Sequence, residues 1–316
     1  MKQGTTQAGA PTFTIVTPCL NRVSLVAEAV ESVLAQRDVT VEHIVADGGS
    51  TDGTLEVLAR YPHLRVLTGP DSGLYDGINR ALAIARGRII GHLNTDDTLL
   101  PGALAAVERA LAANPEADAA CGGAVVMEAG RDGVLRELRR YDDPAMKRLR
   151  PLDLCRGVPM INARFFRREF YDRVGVYDPS YRYAGDREFL LRAWTAGMRT
   201  VPVAEPVYAY RQHAGSLTIV GGMRHTVPWL DEHLRLARRW MQDPDAPPAL
   251  RHEARAWHAL EVGRAAVHAL AARQPADAVT LARGGAATDP LWPGRFLTQS
   301  IGYCLRRIGW TKDWAG

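Results

Sequence analysis

Between Phe13 and Leu93, short apolar runs rich in β-branched residues alternate with segments of helical periodicity, and this alternation leaves very few architectures open to the chain. Phe13 to Pro18 (FTIVTP) ends at a proline and reads as a buried strand, as do Val41 to Ala46, Leu64 to Thr68 and Arg88 to Leu93. Ser24 to Gln36 places Leu25, Ala29, Val33 and Leu34 on one helical face behind a serine at the N-cap position. Thr51 to Arg60 and Tyr75 to Ala85 are further helices. Strands alternating with helices predict an α/β fold built on a doubly wound, mostly parallel sheet. In such sheets ligands lie outside the carboxyl ends of the strands, so chemistry is expected just after Val16, Ala46 and Leu93.

The pattern continues with a helix at Pro101 to Ala113, a strand at Ala119 to Glu128 and a charged strand or hairpin arm at Asp132 to Arg140. From about Ala214 alanine, arginine and leucine recur at helical spacing, and the breaker DPDAPP at Asp243 to Pro248 separates two helical blocks. The expected organisation is a flexible N-terminus at 1–12, an α/β domain at 13–220 and a helical C-terminal extension at 221–316. Hydrophobic residues at 47% and charged residues at 23% support a packed core rather than a disordered chain.

Cys19, Cys121, Cys155 and Cys304 show no CxxC or other paired spacing, which argues against a zinc site or a disulfide framework and for a reducing compartment. The first twelve residues lack the apolar stretch of a signal peptide, and no window reaches the roughly 18–20 apolar residues of a membrane span. A cytoplasmic location is expected. The net charge of +4 suits anionic small molecules, nucleic acid or anionic lipid equally. No RNP1-like run of aromatics and glycines occurs, so no nucleic-acid partner is expected.

Two strand ends carry residues suited to chemistry. Leu93-Asn94-Thr95-Asp96-Asp97 sets two adjacent carboxylates directly after a strand. Hard cations such as Mg²⁺ or Mn²⁺ take oxygen ligands, usually one or two carboxylates together with substrate phosphates. The same acids can instead cap the helix that Pro101 opens. Asp47-Gly48-Gly49-Ser50-Thr51-Asp52-Gly53-Thr54 also follows a strand; its glycines permit close backbone approach to a ligand, Thr51 or Asp52 can cap the next helix, and a plain β-to-α turn is the simpler reading. It lacks the lysine of a P-loop and the spacing of a dinucleotide fingerprint.

Taken together, TIVTPCLNR, ESVLAQ, HIVADGGSTDGT, SGLYDGINRAL, GRIIGHLNTDD, AGDREFLLRA and YRQHAGSLT resemble glycosyltransferase family 2 over roughly Phe13 to Thr218. The resemblance implies the GT-A fold and an inverting, metal-dependent transfer of a sugar from a nucleotide-sugar donor, with UDP or dTDP favoured, to a glycan or lipid-linked acceptor in surface glycan or polysaccharide synthesis. It implies that Thr17 and Pro18 line the nucleotide pocket and that Asp47 accepts a hydrogen bond from the base. Asp96 serves the donor ribose, and Asp97 is the direct ligand of Mn²⁺ or Mg²⁺. Asp186 matches the general base, with Glu188 the fallback and Asp186 as a helix cap the structural alternative. Arg211 and His213 match the closing segment that meets the diphosphate or metal, whereas Arg192 is expected to brace its helix. Many members have an acid where Asn94 stands and an arginine where Ile78 stands; the latter change shifts the expected diphosphate contacts to Arg80, Arg211 or His213.

Two other classes compete. A sugar-phosphate nucleotidyltransferase needs a glycine-rich loop after the first strand, where this chain has Thr17-Pro18-Cys19-Leu20-Asn21-Arg22. A non-catalytic scaffold on the same domain is expected to have lost the acids, yet Asp47, Asp96, Asp97 and Asp186 all stand in their motifs. At the C-terminus Leu297, Ile301, Leu305 and Ile308 form an apolar stripe beside Arg306 and Arg307, followed by Trp310 and Trp314. The stripe packs on the helical domain or in a homodimer, or else lies peripherally on the inner face of the membrane.

Overall fold

The computed structural model describes residues 9–130, 132–158, 160–213 and 227–307, with the side chains of 227, 228 and 301–307 outside the description. The chain divides into two units, one of residues 1–150 and 159–224, the other of 151–158 and 225–316.

In the first unit the elements are β1 (Phe13–Cys19), α1 (Val26–Leu34), β2 (Val41–Asp47), α2 (Thr54–Leu58), β3 (Leu64–Thr68), α3 (Leu74–Leu82), β4 (Ile89–His92), β5 (Thr98–Leu99), α4 (Ala103–Ala112), β6 (Ala119–Ala129), β7 (Leu135–Tyr141) and α5 (Pro144–Arg148). After α6 (Pro151–Arg156), which belongs to the second unit, follow β8 (Arg164–Arg167), α7 (Arg168–Val174), α8 (Gly185–Thr195) and β9 (Thr200–Gln212).

The strands form one sheet in the order β3-β2-β1-β4-β8-β6-β9-β5, with β7 paired to β6. β1 to β4 are mutually parallel neighbours, and β6 runs parallel to β9, while β8, β7 and β5 join antiparallel. The chain steps outward from β1 through β2 to β3 and then returns to the other side of β1 for β4. That reversal opens a crevice at the carboxyl ends of β1 and β4. β1, FTIVTPC, is buried along its whole length, as a central parallel strand covered on both faces must be.

One face of the sheet packs Phe13, Ile15, Phe165 and Val207 against Leu104, Val107 and Leu111 of α4 and Ala29 and Val33 of α1. A second cluster joins Val26, Val30, Val45 and Leu58. At roughly 1.5–3 kcal/mol per buried aliphatic side chain, these clusters rather than the short helices stabilise the unit.

The start of α1 differs from the sequence expectation. No side chain caps it, and Leu25 N and Val26 N bond to Arg22 O. The preceding loop is instead held by the segment after β2, where Thr54 Oγ1 accepts from Arg22 N at 2.8 Å and Asp52 Oδ2 from Val23 N at 3.1 Å. The charged segment before Tyr141 is an exposed hairpin arm, β7, on β6.

The second unit contains α6, α9 (Val227–Gln242), α10 (Pro248–Ala271), α11 (Pro275–Thr288) and α12 (Trp292–Arg307). The DPDAPP breaker lies between α9 and α10, with Pro at the start of α10, where its missing N–H costs nothing. Leu234, Ala259, Val262 and Trp292 form its core. Arg156 of α6 is bound to Glu253 at 2.6 Å. Of the C-terminal stripe, Leu297 is exposed; Ile308, Trp310 and Trp314, and the side chains of Ile301, Leu305, Arg306 and Arg307, lie outside the described residues. So do Ala214 to Thr218 and the expected boundary at Gly221.

Candidate active site

β4 delivers Asn94 to Asp97 into the crevice, and β5 then carries the chain away to pair with β9. Neither aspartate caps α4, whose flanking residue is Gly102. Asp97 is buried and held by three donors. Its Oδ2 accepts from Tyr208 Oη at 2.7 Å and Asn94 Nδ2 at 3.1 Å, and its Oδ1 from Arg211 N at 2.9 Å. Burial, and after it the negative charge of Asp96, push the Asp97 carboxyl up to about 7. The three hydrogen bonds oppose that rise without cancelling it.

Asp96 is only partly buried, and its Oδ2 lies 3.1 Å from Nε2 of His213 at the end of β9. The Arg211 guanidinium is bonded to Glu28. Arg80 donates to Gly69 O at 2.9 Å and so clasps the turn after β3.

No group of three or more histidine, cysteine or acidic side chains converges as a metal site among the described residues, and the two carboxylates of Asp96 and Asp97 are the groups here that could share a hard divalent cation with a donor's phosphates. Among the described residues Asp97 Oδ1 accepts one of the two hydrogen bonds an oxygen can take, and Asp96 presents a carboxylate with the imidazole of His213 beside it. Two adjacent carboxylates, one desolvated enough to resist ionisation, are also a local excess of negative charge that a bound cation relieves.

At the neighbouring strand ends Asp47 is fully buried. Its Oδ2 accepts from Gly49 N and Ser50 N, each at 3.0 Å, and from Thr68 Oγ1 at 3.2 Å, while Oδ1 accepts from Ser50 Oγ. Its charge, after burial itself, helps push the Cys19 thiol up to about 12. Thr17 is buried with its hydroxyl 2.9 Å from His43 Nε2, and Pro18 is buried beside it in β1.

Asp186 begins α8. Its Oδ1 accepts from Arg187 N at 2.7 Å, and its own N–H donates to the Tyr75 hydroxyl at 3.0 Å. Burial raises the Asp186 carboxyl above the usual range, opposed by the Arg187 charge and these hydrogen bonds. Gly185 is required here, because a β-carbon would come within 2.5 Å of the Tyr75 ring. Glu188 is buried and turned away, with both its oxygens 2.9 Å from Arg192 Nε. Arg192 also donates to Val174 O and Val176 O, bracing α8 as its position in the helix suggests.

Several residues that support the site were not singled out in the sequence. Tyr75 and Asn79 sit within SGLYDGINRAL, yet their partners are a hundred residues away. Asn79 grips the backbone of Tyr177 from both sides, at 2.8 and 3.0 Å. Tyr75 stacks on Tyr177, which stacks in turn on Phe189 of α8. Tyr208 donates to Asp97, and the partly buried Tyr210 hydroxyl is raised well above its ordinary range by desolvation and then by the charges of Asp97 and Asp186.

The sequence model of Glycosyl transferase family 2 matches residues 14–175, about half of the chain. The chain belongs to glycosyl transferase family 2. This family member is 28% identical over 193 residues to a "PGL/p-HBAD biosynthesis glycosyltransferase" of Mycobacterium bovis, covering 59% of this chain and 71% of the relative. It is 26% identical over 234 residues to "Uncharacterized glycosyltransferase EpsJ" of Bacillus subtilis, covering 71% and 67%.

Among solved structures it is similar to S. aureus TarS 1-349 in complex with UDP-GlcNAc, with a TM-score of 0.58, 17% identity and coverage of 80% and 72%. It spans 43% of a longer TarS chain. It is similar also to mannosyltransferase PcManGT from Pyrobaculum calidifontis in complex with GDP-Man and Mn²⁺, at 0.51, 20% identity and coverage of 96% and 88%. The fold of this glycosyltransferase is therefore GT-A.

Proposed function

We propose that this glycosyltransferase moves a sugar, with inversion, from a nucleoside-diphosphate donor to an acceptor hydroxyl, with Asp186 as general base. The observation that carries this reading is Asp186 at the start of α8, whose Oδ1 accepts from Arg187 N at 2.7 Å and whose N–H donates to the Tyr75 hydroxyl at 3.0 Å, in the same unit as the buried Asp97 after β4. Asp186 takes the acceptor proton as that oxygen attacks the anomeric carbon, and the nucleoside diphosphate departs on the opposite side. Tyr75 and the α8 backbone hold the carboxyl in place for that transfer.

Asp97, with Asp96 and His213 beside it, would hold a Mn²⁺ or Mg²⁺ ion, which neutralises charge on the departing diphosphate. Arg211, fixed through its backbone to Asp97, moves with that site. Thr17, Pro18 and Asp47 form the floor under the nucleoside.

The binding of UDP-GlcNAc by TarS and of GDP-Man by PcManGT supports a nucleotide-sugar donor, with UDP or dTDP favoured. The mycobacterial relative's part in PGL/p-HBAD biosynthesis supports a lipid-linked or glycan acceptor. No helix among the described residues is long and apolar enough to cross a membrane, and action in the cytoplasm, with peripheral membrane contact or a homodimer through the C-terminal helix, remains part of the proposal.

The test is nucleotide-sugar turnover with Mn²⁺ across a panel of UDP, dTDP and GDP donors, followed by the anomeric configuration of the glycoside formed. Absence of turnover with every donor, or a retained configuration, refutes the reading.

A further inference from the structure

In the helical unit α10 ends at Ala271 and α11 starts at Pro275, and from Val267 to Asp277 every residue except Ala269 is exposed. Three exposed side chains near this corner are large and aliphatic: Val267 at 55%, Leu270 at 58% and Val279 at 49%. Arg264, Val267, His268 and Ala271 recur at the three- and four-residue steps of one outward face of α10, and Ala276, Val279, Thr280 and Arg283 do the same on α11. The opposite side of α11 is spent on α10, since Ala278 and Gly285 are buried and a β-carbon on Gly285 would fall 2.6 Å from Val262. The outward faces therefore stand apart from the core of this unit, which Leu234, Ala259, Val262 and Trp292 form.

The charge around the corner is mostly of one sign. Residues 264–283 carry Arg264, Arg273 and Arg283 against a single acid, Asp277. All four are exposed, and none forms an ion pair among the described residues, whereas Arg65, Arg86, Arg136, Arg140 and Arg156 each do. Arg273 occupies the corner itself with φ at 60°, in the left-handed region where glycine is the unstrained choice. The chain thus keeps a cation where the backbone favours no side chain at all.

We propose that the α10–α11 corner docks on an anionic bilayer, with Val267, Leu270 and Val279 entering the headgroup region and Arg264, Arg273 and Arg283 pairing with lipid phosphates. This deepens the peripheral membrane contact given above, rests on it, and places it on a surface other than the C-terminal helix. Aliphatic side chains flanked by unpaired arginines suit a lipid interface, where apolar burial and attraction to anionic headgroups add. A nucleic-acid strand calls instead for aromatic side chains to stack its bases, and residues 264–283 contain no phenylalanine, tyrosine or tryptophan. A lipid-linked acceptor is confined to the same surface, so docking there raises its effective concentration at the enzyme.

The test is co-sedimentation of the full chain with vesicles of phosphatidylcholine alone and of phosphatidylcholine mixed with phosphatidylglycerol, at low and high salt. The wild type is expected to partition at least about 10-fold more strongly onto the anionic vesicles, with the excess lost at high salt. Val267→Asp and Leu270→Asp are each expected to lower that partition about 10-fold, and Arg264→Gln and Arg273→Gln about 5-fold each. Because these side chains are exposed, the melting temperature and the release of nucleoside diphosphate from a soluble donor are expected to stay at wild-type values.

Anionic-vesicle binding that all four variants leave intact overturns the proposal, and its loss in Leu297→Asp alone moves the contact to α12 while the peripheral reading stands. A wild type that binds neither vesicle overturns the peripheral reading itself. Sedimentation velocity without lipid covers a second copy as occupant: self-association that Leu270→Asp abolishes, with no vesicle binding, assigns the corner to a dimer and overturns the lipid proposal.

Discussion

Replacing Gly185 by alanine tests how Asp186, the proposed general base, is held. The added β-carbon would fall 2.5, 2.7 and 2.8 Å from Cε2, Cδ2 and Cζ of Tyr75, so the ring must withdraw by about 1 Å to restore ordinary contact. It has little room to do so, because it stacks on Tyr177 at 5.5 Å, and Tyr177 is in turn fixed against Phe189 at 4.6 Å and His92 at 5.4 Å. Overpacking of this kind costs about 1–3 kcal/mol, and the better helix propensity of alanine returns about 1 kcal/mol, leaving a net loss of about 0–2 kcal/mol. The fold survives such a loss. The hydroxyl of Tyr75, however, moves with its ring and releases Asp186 N, and displacing a catalytic group by about 1 Å costs on the order of 10²-fold in rate. Turnover at saturating donor, measured as nucleoside-diphosphate release, is therefore expected to fall about 100-fold while the melting temperature moves by only a few degrees. Tyr75→Phe, which keeps the ring and removes the hydroxyl, should reproduce much of the rate loss, and the double variant should add little to it. Wild-type turnover in Gly185→Ala would show that Tyr75 does not position the base.

Asp186→Asn is expected to retain donor affinity and lose about 10²–10⁴-fold in turnover, whereas Glu188→Gln should lose about 2–3 kcal/mol of stability through its bond to Arg192 and leave turnover per folded molecule unchanged; reversal of the two outcomes reassigns the base. Asp97→Ala should abolish Mn²⁺ binding, read by the paramagnetic relaxation of water protons, and undiminished wild-type turnover in excess chelator would count against the metal. Because burial raises Asp186, its carboxylate form is lost as pH falls through that raised value, so the acid limb of the rate profile should lie above the ordinary carboxylate range near 4; a limb at or below 4 contradicts it. His43 and His92 are held down to about 3 and about 4 by burial, so between those values and about 6.5 the unfolded chain binds more protons than the folded one. Their contribution is intact above about 6.5 and lost as pH falls, at up to about 1.4 kcal/mol per pH unit for each; His92→Phe should reduce that slope in denaturant titrations, and an unchanged slope refutes the assignment.

The parallel half of the sheet was legible because each strand and its helix bury themselves locally, and the apolar periodicity of Phe13 to Leu93 records that burial. The far half was harder to read. β8 and β9 pair with strands distant in sequence, and the thirteen residues of β9 alternate too weakly for local pattern to separate strand from loop. The acids were visible as residue types after strands, but their states were not. Asp97 owes its rise to burial under β9, Glu188 is withdrawn by a partner one turn on, and Asp47 is spent on its own turn. Asn94 departs from the commoner acid, and the structure gives the reason: its amide donates to Asp97, where a second carboxylate would add repulsion. The serine before α1 looked like a cap, yet Asp52 and Thr54 of the next loop bind the backbone there, a contact no local reading can supply.

Asp97 receives two of its three hydrogen bonds from β9, from residues 111 and 114 positions further along the chain. On the ribosome, at about 5–20 residues per second, the β1 to β4 half of the sheet emerges several seconds before those donors exist. Until they arrive, Asp97 has neither the cover that raises it nor the bonds that aim it, and a chain halted near residue 200 would display a platform for a nucleotide without the means to act on one. On the proposed reading, competence at Asp97 is thus timed by the last strand of the sheet, which is complete about a hundred residues before the chain ends.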